Sequence, residues 1–337
     1  GLGYYAAGTT KFGTAGDFVT APELTPLFGR TLAHAIRPVL AECGGDILEL
    51  GGGSGRLAVD VLTELQRLDA LPARYAILEV SAELRARQQA TLAHELPQLL
   101  ERVQWLDALP EHFRGVVLGN EVLDALPVEL VHWTEAGPMT RGVRLDGEAF
   151  GWEERPISDP ELRALAESLA LAPGYVSEIS LAAPALIASL AERLDSGLIL
   201  MIDYGFGRAE YYHPQRHMGT LRAHYRHHAL DDPFFLPGLC DLTAHVDFSA
   251  VAESGTACGL ALAGYTSQAN FLLNAGVADL LMQTTPEDAA TYLPQANAVQ
   301  RLVSPAEMGE LFKVIALTRA CGAPLAGFAR GDRRHTL

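Results

Sequence analysis

The chain has no paired-cysteine motif. Its four cysteines, Cys43, Cys240, Cys258 and Cys321, are scattered over 337 residues with no C-x-x-C and no spacing suited to zinc. That pattern excludes a zinc ribbon, reads as buried or idle thiols, and suits a reducing compartment. No apolar run approaches the roughly 20 residues a membrane span requires, so no membrane insertion is expected. Basic residues are in deficit: 25 Lys plus Arg stand against 41 Asp plus Glu, a balance of −16. Such a surface repels nucleic acid and favours a cationic partner. The chain also lacks internal repeats and low-complexity linkers, so extra segments are expected to decorate one core rather than stand apart. It opens at Gly1 rather than at a methionine, so a leader or helix upstream is allowed for and targeting is not read from this end.

What is present is a globular composition, 49% hydrophobic and 20% charged, on a chain long enough for a sizeable core. The apolar stretch Asp46-Ile47-Leu48-Glu49-Leu50 reads as a strand, followed by a Gly-rich turn and a helical pattern over 57–71. The rhythm repeats: strand 75–80, helix 82–96, a short strand near Val103 and a strand over 115–118. Alternation of this kind predicts a parallel sheet covered on both faces. After Pro127 the pattern changes to alternating stretches, 128–133 and 142–152, joined at Asp146-Gly147 like an inserted hairpin. A helix over 184–194 and a strand over 198–202 restore the α/β order. The segment 205–241, rich in His, Tyr, Arg and Pro, reads as a long irregular and functional stretch. Helix 248–258, strand 260–263, helices between 268 and 298 and a last strand over 312–317 complete the expectation. The last strand is expected to run antiparallel.

Glu49-Leu50-Gly51-Gly52-Gly53-Ser54-Gly55 sits where a ligand meets backbone at the carboxyl end of a parallel strand. The spacing departs from the dinucleotide G-x-G-x-x-G, whose last glycine would fall on Arg56. A pyrophosphate is therefore disfavoured, and with it a nicotinamide oxidoreductase. A nucleoside carrying an amino acid fits better, which makes S-adenosylmethionine the expected cofactor. Glu79, closing the second strand, is expected to accept from ribose hydroxyls, and Asp107, after the third, to hold the adenine amino group. Upstream, Asp17 and Thr20 are expected to reach the methionine moiety, Thr20 serving equally well as a helix cap before Pro22. The His-rich stretch with Asp241, His245 and Asp247 offers no metal-ligand spacing, so no metal is expected and hydrogen bonding within a lid is preferred.

The Gly turn is accompanied by Gly3-Tyr4-Tyr5, Gly16-Asp17-Phe18-Val19-Thr20-Ala21-Pro22-Glu23, Asn120-Glu121-Val122-Leu123-Asp124-Ala125-Leu126-Pro127, Asp203-Tyr204-Gly205, Gly219-Thr220-Leu221 and Asp241-Leu242-Thr243-Ala244-His245-Val246-Asp247-Phe248. Later come Thr266-Ser267-Gln268 and Glu307-Met308-Gly309-Glu310-Leu311-Phe312-Lys313. In this order the motifs resemble the MidA-like methyltransferases, a family that includes a mitochondrial protein arginine methyltransferase of complex I assembly. Gly119 stands where that pattern usually has Ala.

The resemblance implies a Rossmann-like class I methyltransferase sheet, mostly parallel with an antiparallel last strand, and methyl transfer from S-adenosylmethionine to an arginine presented by a protein. Segment 1–45 is expected to cover the cofactor. The core is expected over 46–127, 182–204, 241–266 and 311–318, and a substrate-binding region over 128–181, 205–240 and 267–310. Asn120, Glu121 and Asp124 follow the fourth strand, where this fold places groups beside the reactive methyl. Glu121 is the first choice to orient a guanidinium, Asp124 the second, with Asp203 a third wall. Bacterial cytoplasm is the expected location, with the mitochondrial matrix as alternative, and a homodimer is among the assemblies open to the chain. Rival readings are a small-molecule methyltransferase, favoured by a narrow closed pocket, and a non-catalytic assembly protein, disfavoured by the intact glycines and acids.

Overall fold

The computed structural model describes residues 20–225 and 228–337, so Asp17 and the motifs before Thr20 lie outside the described residues. Helix Pro26–Cys43 stops at Gly44, which takes the left-handed conformation and donates its N–H to Leu40. The α/β alternation follows: β1 (Asp46–Leu50), helix Arg56–Arg67, β2 (Tyr75–Leu78), helix Ala82–Glu95, β3 (Val103–Leu106) and β4 (Phe113–Asn120). Next come β5 (Glu129–Thr134), β6 (Gly137–Asp146), β7 (Ala149–Pro156) and, after helix Pro160–Leu169, β8 (Val176–Ile179). Helix Ala182–Arg193 leads into β9 (Leu194–Phe206), then β10 (Arg222–Tyr225), β11 (His228–Leu230), β12 (Asp241–Thr243) and β13 (Val246–Asp247). Helix Phe248–Ala257, β14 (Ala261–Ser267), several helices and β15 (Phe312–Arg319) complete the order.

The main sheet runs β14-β15-β9-β4-β1-β2-β3, with β13 on the end of β9. Its central pairs are parallel, and β15 is antiparallel to both neighbours. This is the class I methyltransferase sheet, with the expected antiparallel strand. Because both faces are covered, β9 shows a continuous apolar run whose alternate residues serve opposite layers. Leu198, Leu200 and Ile202 join Phe28, Ile36 and Leu62 from one helical layer. Ile199 and Met201 join Ile187, Phe248 and Val251 from the other. Burying each large apolar side chain contributes roughly 1.5–3 kcal/mol, so the strand ends that carry the site are firmly held.

The inserted segments form two further sheets. One, in the order β7-β6-β5-β8, packs helix Pro160–Leu169 over Val131, Trp133 and Tyr175, with Trp133 Nε1 donating to Ala166 O at 2.9 Å. The stretch 205–241 is not wholly irregular as expected: it supplies β10 and β11 of a three-stranded sheet, β11-β10-β12, that β12 completes from its far end. Strands of three or four residues are too short to display alternation, so periodicity does not mark them, whether the partner is near in sequence, as β11 is to β10, or further off, as β12 is. The helices of 267–310 place Phe271, Leu272, Val277 and Leu280 in the same apolar cluster as helix Pro26–Cys43. Both segments thus contribute to a core layer.

Candidate active site

The turn after β1 is built from left-handed glycines: φ is +62° at Gly51, +51° at Gly53 and +87° at Gly55. They serve different needs. A Cβ on Gly55 would lie 3.2 Å from Gln88 Cα, so Gly55 allows helix Ala82–Glu95 to pack closely. A Cβ on Gly53 would meet nothing within 4 Å, so this backbone faces open space. The acids at the strand ends are tightly held. Glu49 accepts from the buried Tyr75 hydroxyl at 2.8 Å, and burial pushes its carboxyl up to about 7. Glu79 accepts from Ser81 N–H and from Gln88 Nε2, each at 2.9 Å. Gln88 also donates to Gly53 O at 3.1 Å and accepts from Trp105 Nε1 at 3.0 Å. Sequence reasoning missed Gln88; its only signal is a polar residue on the inward stripe of a helix, four positions after Leu84.

These groups open on a cavity of about 490 Å³ lined by Glu49, Gly51, Gly53 and Glu79 on one side and Asn120, Glu121 and Asp124 on the other. The volume suits a small-molecule ligand. Thr20, Pro22 and Glu23 complete its wall, and Ser54 hydroxyl donates to Glu23, tying this short segment to the Gly turn. Thr20 precedes helix Ala21–Leu24 without capping it through its side chain, whereas Thr25 caps the next helix through a bond from Leu27 N–H at 3.2 Å.

The other half is built at the carboxyl ends of β4 and β9. Glu121 has φ +54°, an unfavourable conformation for a side-chain-bearing residue, and its N–H is fixed to Ile202 O at 2.9 Å. Its carboxylate accepts from Asn120 Nδ2 at 3.0 Å and from the Ala21 backbone N–H. Burial and the neighbouring Asp124 nevertheless push it up to about 8. Burial also raises Asp124, to about 6, despite a bond from the Tyr204 hydroxyl. Asn120 Oδ1 and Asp124 Oδ1 are buried and unpartnered. His245 shares this wall, its Nδ1 likewise buried and unpartnered while its backbone N–H donates to the Thr220 hydroxyl at 3.0 Å. Burial and then Arg216, Arg222 and Lys313 lower it to about 4, so the imidazole is neutral. Gly119 is explained by packing: a Cβ there would come within 2.5 Å of Met201 Sδ.

Three expected residues, Asp203, Asp107 and the Gly55 that packs against Gln88, do not reach the cavity wall. Asp203 is buried behind it, Oδ2 accepting from the N–H groups of Val122, Leu123 and Asp124 at 3.1, 2.8 and 3.2 Å. It shapes the turn that presents Asp124 instead of forming a third wall. Asp107 is exposed and paired with Arg85 at 2.6 Å. Among the described residues, no three His, Cys, Asp or Glu side chains converge on a metal position, and no helix is long and apolar enough to cross a membrane.

A family described as "Putative S-adenosyl-L-methionine-dependent methyltransferase" matches residues 28–266. The chain belongs to this family. The methyltransferase is 51% identical to a superfamily member from Burkholderia thailandensis solved with bound S-adenosyl-homocysteine, the two covering 100% and 88% of each other's chains at a TM-score of 0.96. It is also similar to Protein arginine methyltransferase NDUFAF7, mitochondrial, from Mus musculus, 30% identical over 94% of this chain and 77% of that protein. The Danio rerio protein of the same name is 28% identical over 93% and 78%. The MidA-like membership expected from the separated motifs is thereby shown, and S-adenosylmethionine is the methyl donor of this family.

Proposed function

We propose that this methyltransferase modifies an arginine side chain presented by a protein substrate. The observation that carries the reading is the pair Glu121 and Asp124 at the cavity wall, raised toward the neutral form by burial and, for Glu121, by its neighbour Asp124, so that two close carboxylates call for charge balance. A guanidinium supplies that balance and matches carboxylate geometry. The relatives named as protein arginine methyltransferases support the same substrate class.

The residues present fit the cofactor: the open space before Gly53 lets a ligand meet backbone, and Glu79 is held ready to accept from ribose hydroxyls. Gly51 and Gly55 shape the turn, and Glu49 and Thr20, both on the cavity wall, would hold the methionine end. When bound, the cofactor supplies a methyl group on a sulfonium. Glu121 orients the guanidinium and draws its charge toward the non-attacking nitrogens, with Asp124 as second acceptor and Asn120 fixing the Glu121 carboxylate. The attacking nitrogen gains the methyl and gives up a proton, which the Glu121 carboxylate is placed to accept. Asp203 positions this wall through backbone.

Incubating the enzyme with methyl-labelled cofactor and lysate proteins, then hydrolysing them, should place label in methylated arginine. Label confined to small molecules or to another residue type would overturn the substrate assignment.

A further inference from the structure

The hairpin of β6 and β7 alternates as a half-buried ribbon does, yet its apolar face has little behind it. Val143 pairs with Trp152 and Leu145 with Phe150, so these four side chains share one face. Phe234, from the β11–β12 connection, stacks on part of it, its ring 4.6 Å from that of Trp152 and 6.1 Å from that of Phe150. The rest is open: Val143 is 50% exposed, Leu145 68% and Phe150 48%. The same connection adds Phe235, Leu236 and Leu239, all exposed. Leu236 holds φ +43°, which a branched residue adopts reluctantly. Exposed apolar area of this extent, gathered from two segments, marks a contact surface rather than ordinary surface.

The β11–β12 connection ties this patch to the cavity at both its ends. Arg222 lines the cavity and pairs at 3.1 Å with Asp231, where the apolar connection begins. Asp241 and Thr243 of β12 line the cavity, while Leu242 between them faces outward and is exposed. A molecule seated on both would need a cationic group for the carboxylates and, beside it, apolar side chains for the patch. We propose that the β6–β7 hairpin and the β11–β12 connection dock the substrate polypeptide by apolar residues flanking its arginine. This rests on the arginine reading above and adds the sequence preference that goes with it.

Two synthetic peptides of equal length test it, each with one central arginine, one carrying Leu and Phe on both flanks and the other Ser. The wild type should methylate the apolar peptide with kcat/KM about tenfold higher or more, as burial of one or two such side chains supplies. The double variant L145D/F150D, altered only at exposed positions, should lose that preference while treating the Ser peptide and the cofactor as the wild type does. Equal rates on both peptides in the wild type, or a preference that survives the double variant, would overturn the docking surface alone. Methylation of neither peptide would instead remove the arginine reading, and this inference with it. A wild-type dimer that the double variant converts to monomer would assign the patch to a second copy and also overturn the proposal.

Discussion

The two halves of the cavity differ in how their polar groups are satisfied. On the side of the Gly turn, Glu49 is bonded to Tyr75 and Glu79 to Ser81 and Gln88, while Gln88 is bonded on both its amide atoms. Across the cavity, Asn120 Oδ1, Asp124 Oδ1 and His245 Nδ1 are buried without partners, and Glu121 sits in a costly backbone conformation. A satisfied network fixes one shape, whereas orphaned buried groups and local strain persist where a ligand completes them. The first half is therefore a preformed cradle, and the second a wall left for a ligand to complete, which in the proposed reading is the substrate guanidinium.

The sharpest break of that contrast is Gly53→Val. A branched side chain would fill the open approach and resist φ +51°, so a folded variant should show no measurable cofactor binding by calorimetry. Unchanged affinity would take the turn out of the site. Next in size is Glu121→Gln, which keeps shape and cofactor affinity but should lower single-turnover arginine methylation by roughly a hundredfold or more. Its pH profile gives the sign. Glu121 acts ionised, so wild-type kcat/KM should climb as pH rises through about 8, and this inflection should be absent from the variant. A near-normal rate in the variant would sink the assignment.

Glu79→Ala acts on the satisfied half and should weaken cofactor binding by about 1.5–3 kcal/mol. A deoxyribose analogue should then lose little further affinity in the variant. If both proteins suffer equally from the missing hydroxyls, Glu79 does not contact them. The smallest effect belongs to Tyr75→Phe, which removes the hydroxyl from Glu49 and should cost about 1–2 kcal/mol of stability near pH 8 by denaturant titration. At low pH the cost should shrink, because Glu49 is raised to about 7 in the fold. With the folded value above the unfolded one, protonation of Glu49 favours the fold, and that contribution is lost as pH rises from about 4.5 through about 7. A cost equal at pH 5 and pH 8 would show that the bond does not discriminate the ionised form.

Much of this was legible in the residues themselves. A five-residue apolar run, a left-handed glycine turn and an amphipathic helix are local events, so β1, the turn and the helix after it follow from sequence order. Strand lengths were less legible: β9 spans Leu194–Phe206, where periodicity marks only 198–202, whereas β2 stops at Leu78, short of the expected 80. Glu49, Gly51, Gly53, Glu79, Glu121 and Asp124 do converge on one cavity. Asp203 and Asp107 do not reach it, because a position at a strand end does not tell whether a carboxylate turns toward ligand, backbone or solvent.

By itself, then, the sequence determined most of the order of strands and helices, the glycine turn and the surplus of acid, the local elements because each depends on neighbours a few residues away. Tertiary structure decided which acids were buried together. Burial and close approach, not residue type, raise Glu121 and Asp124, and they arise only when β4 and β9 pair and the Thr20–Glu23 segment closes over them. It also decided that Gln88 should bind Glu79 and that a hairpin far along the chain should meet Phe234. Neither contact leaves a periodicity to read, because each depends on how side chains pack after the elements have formed.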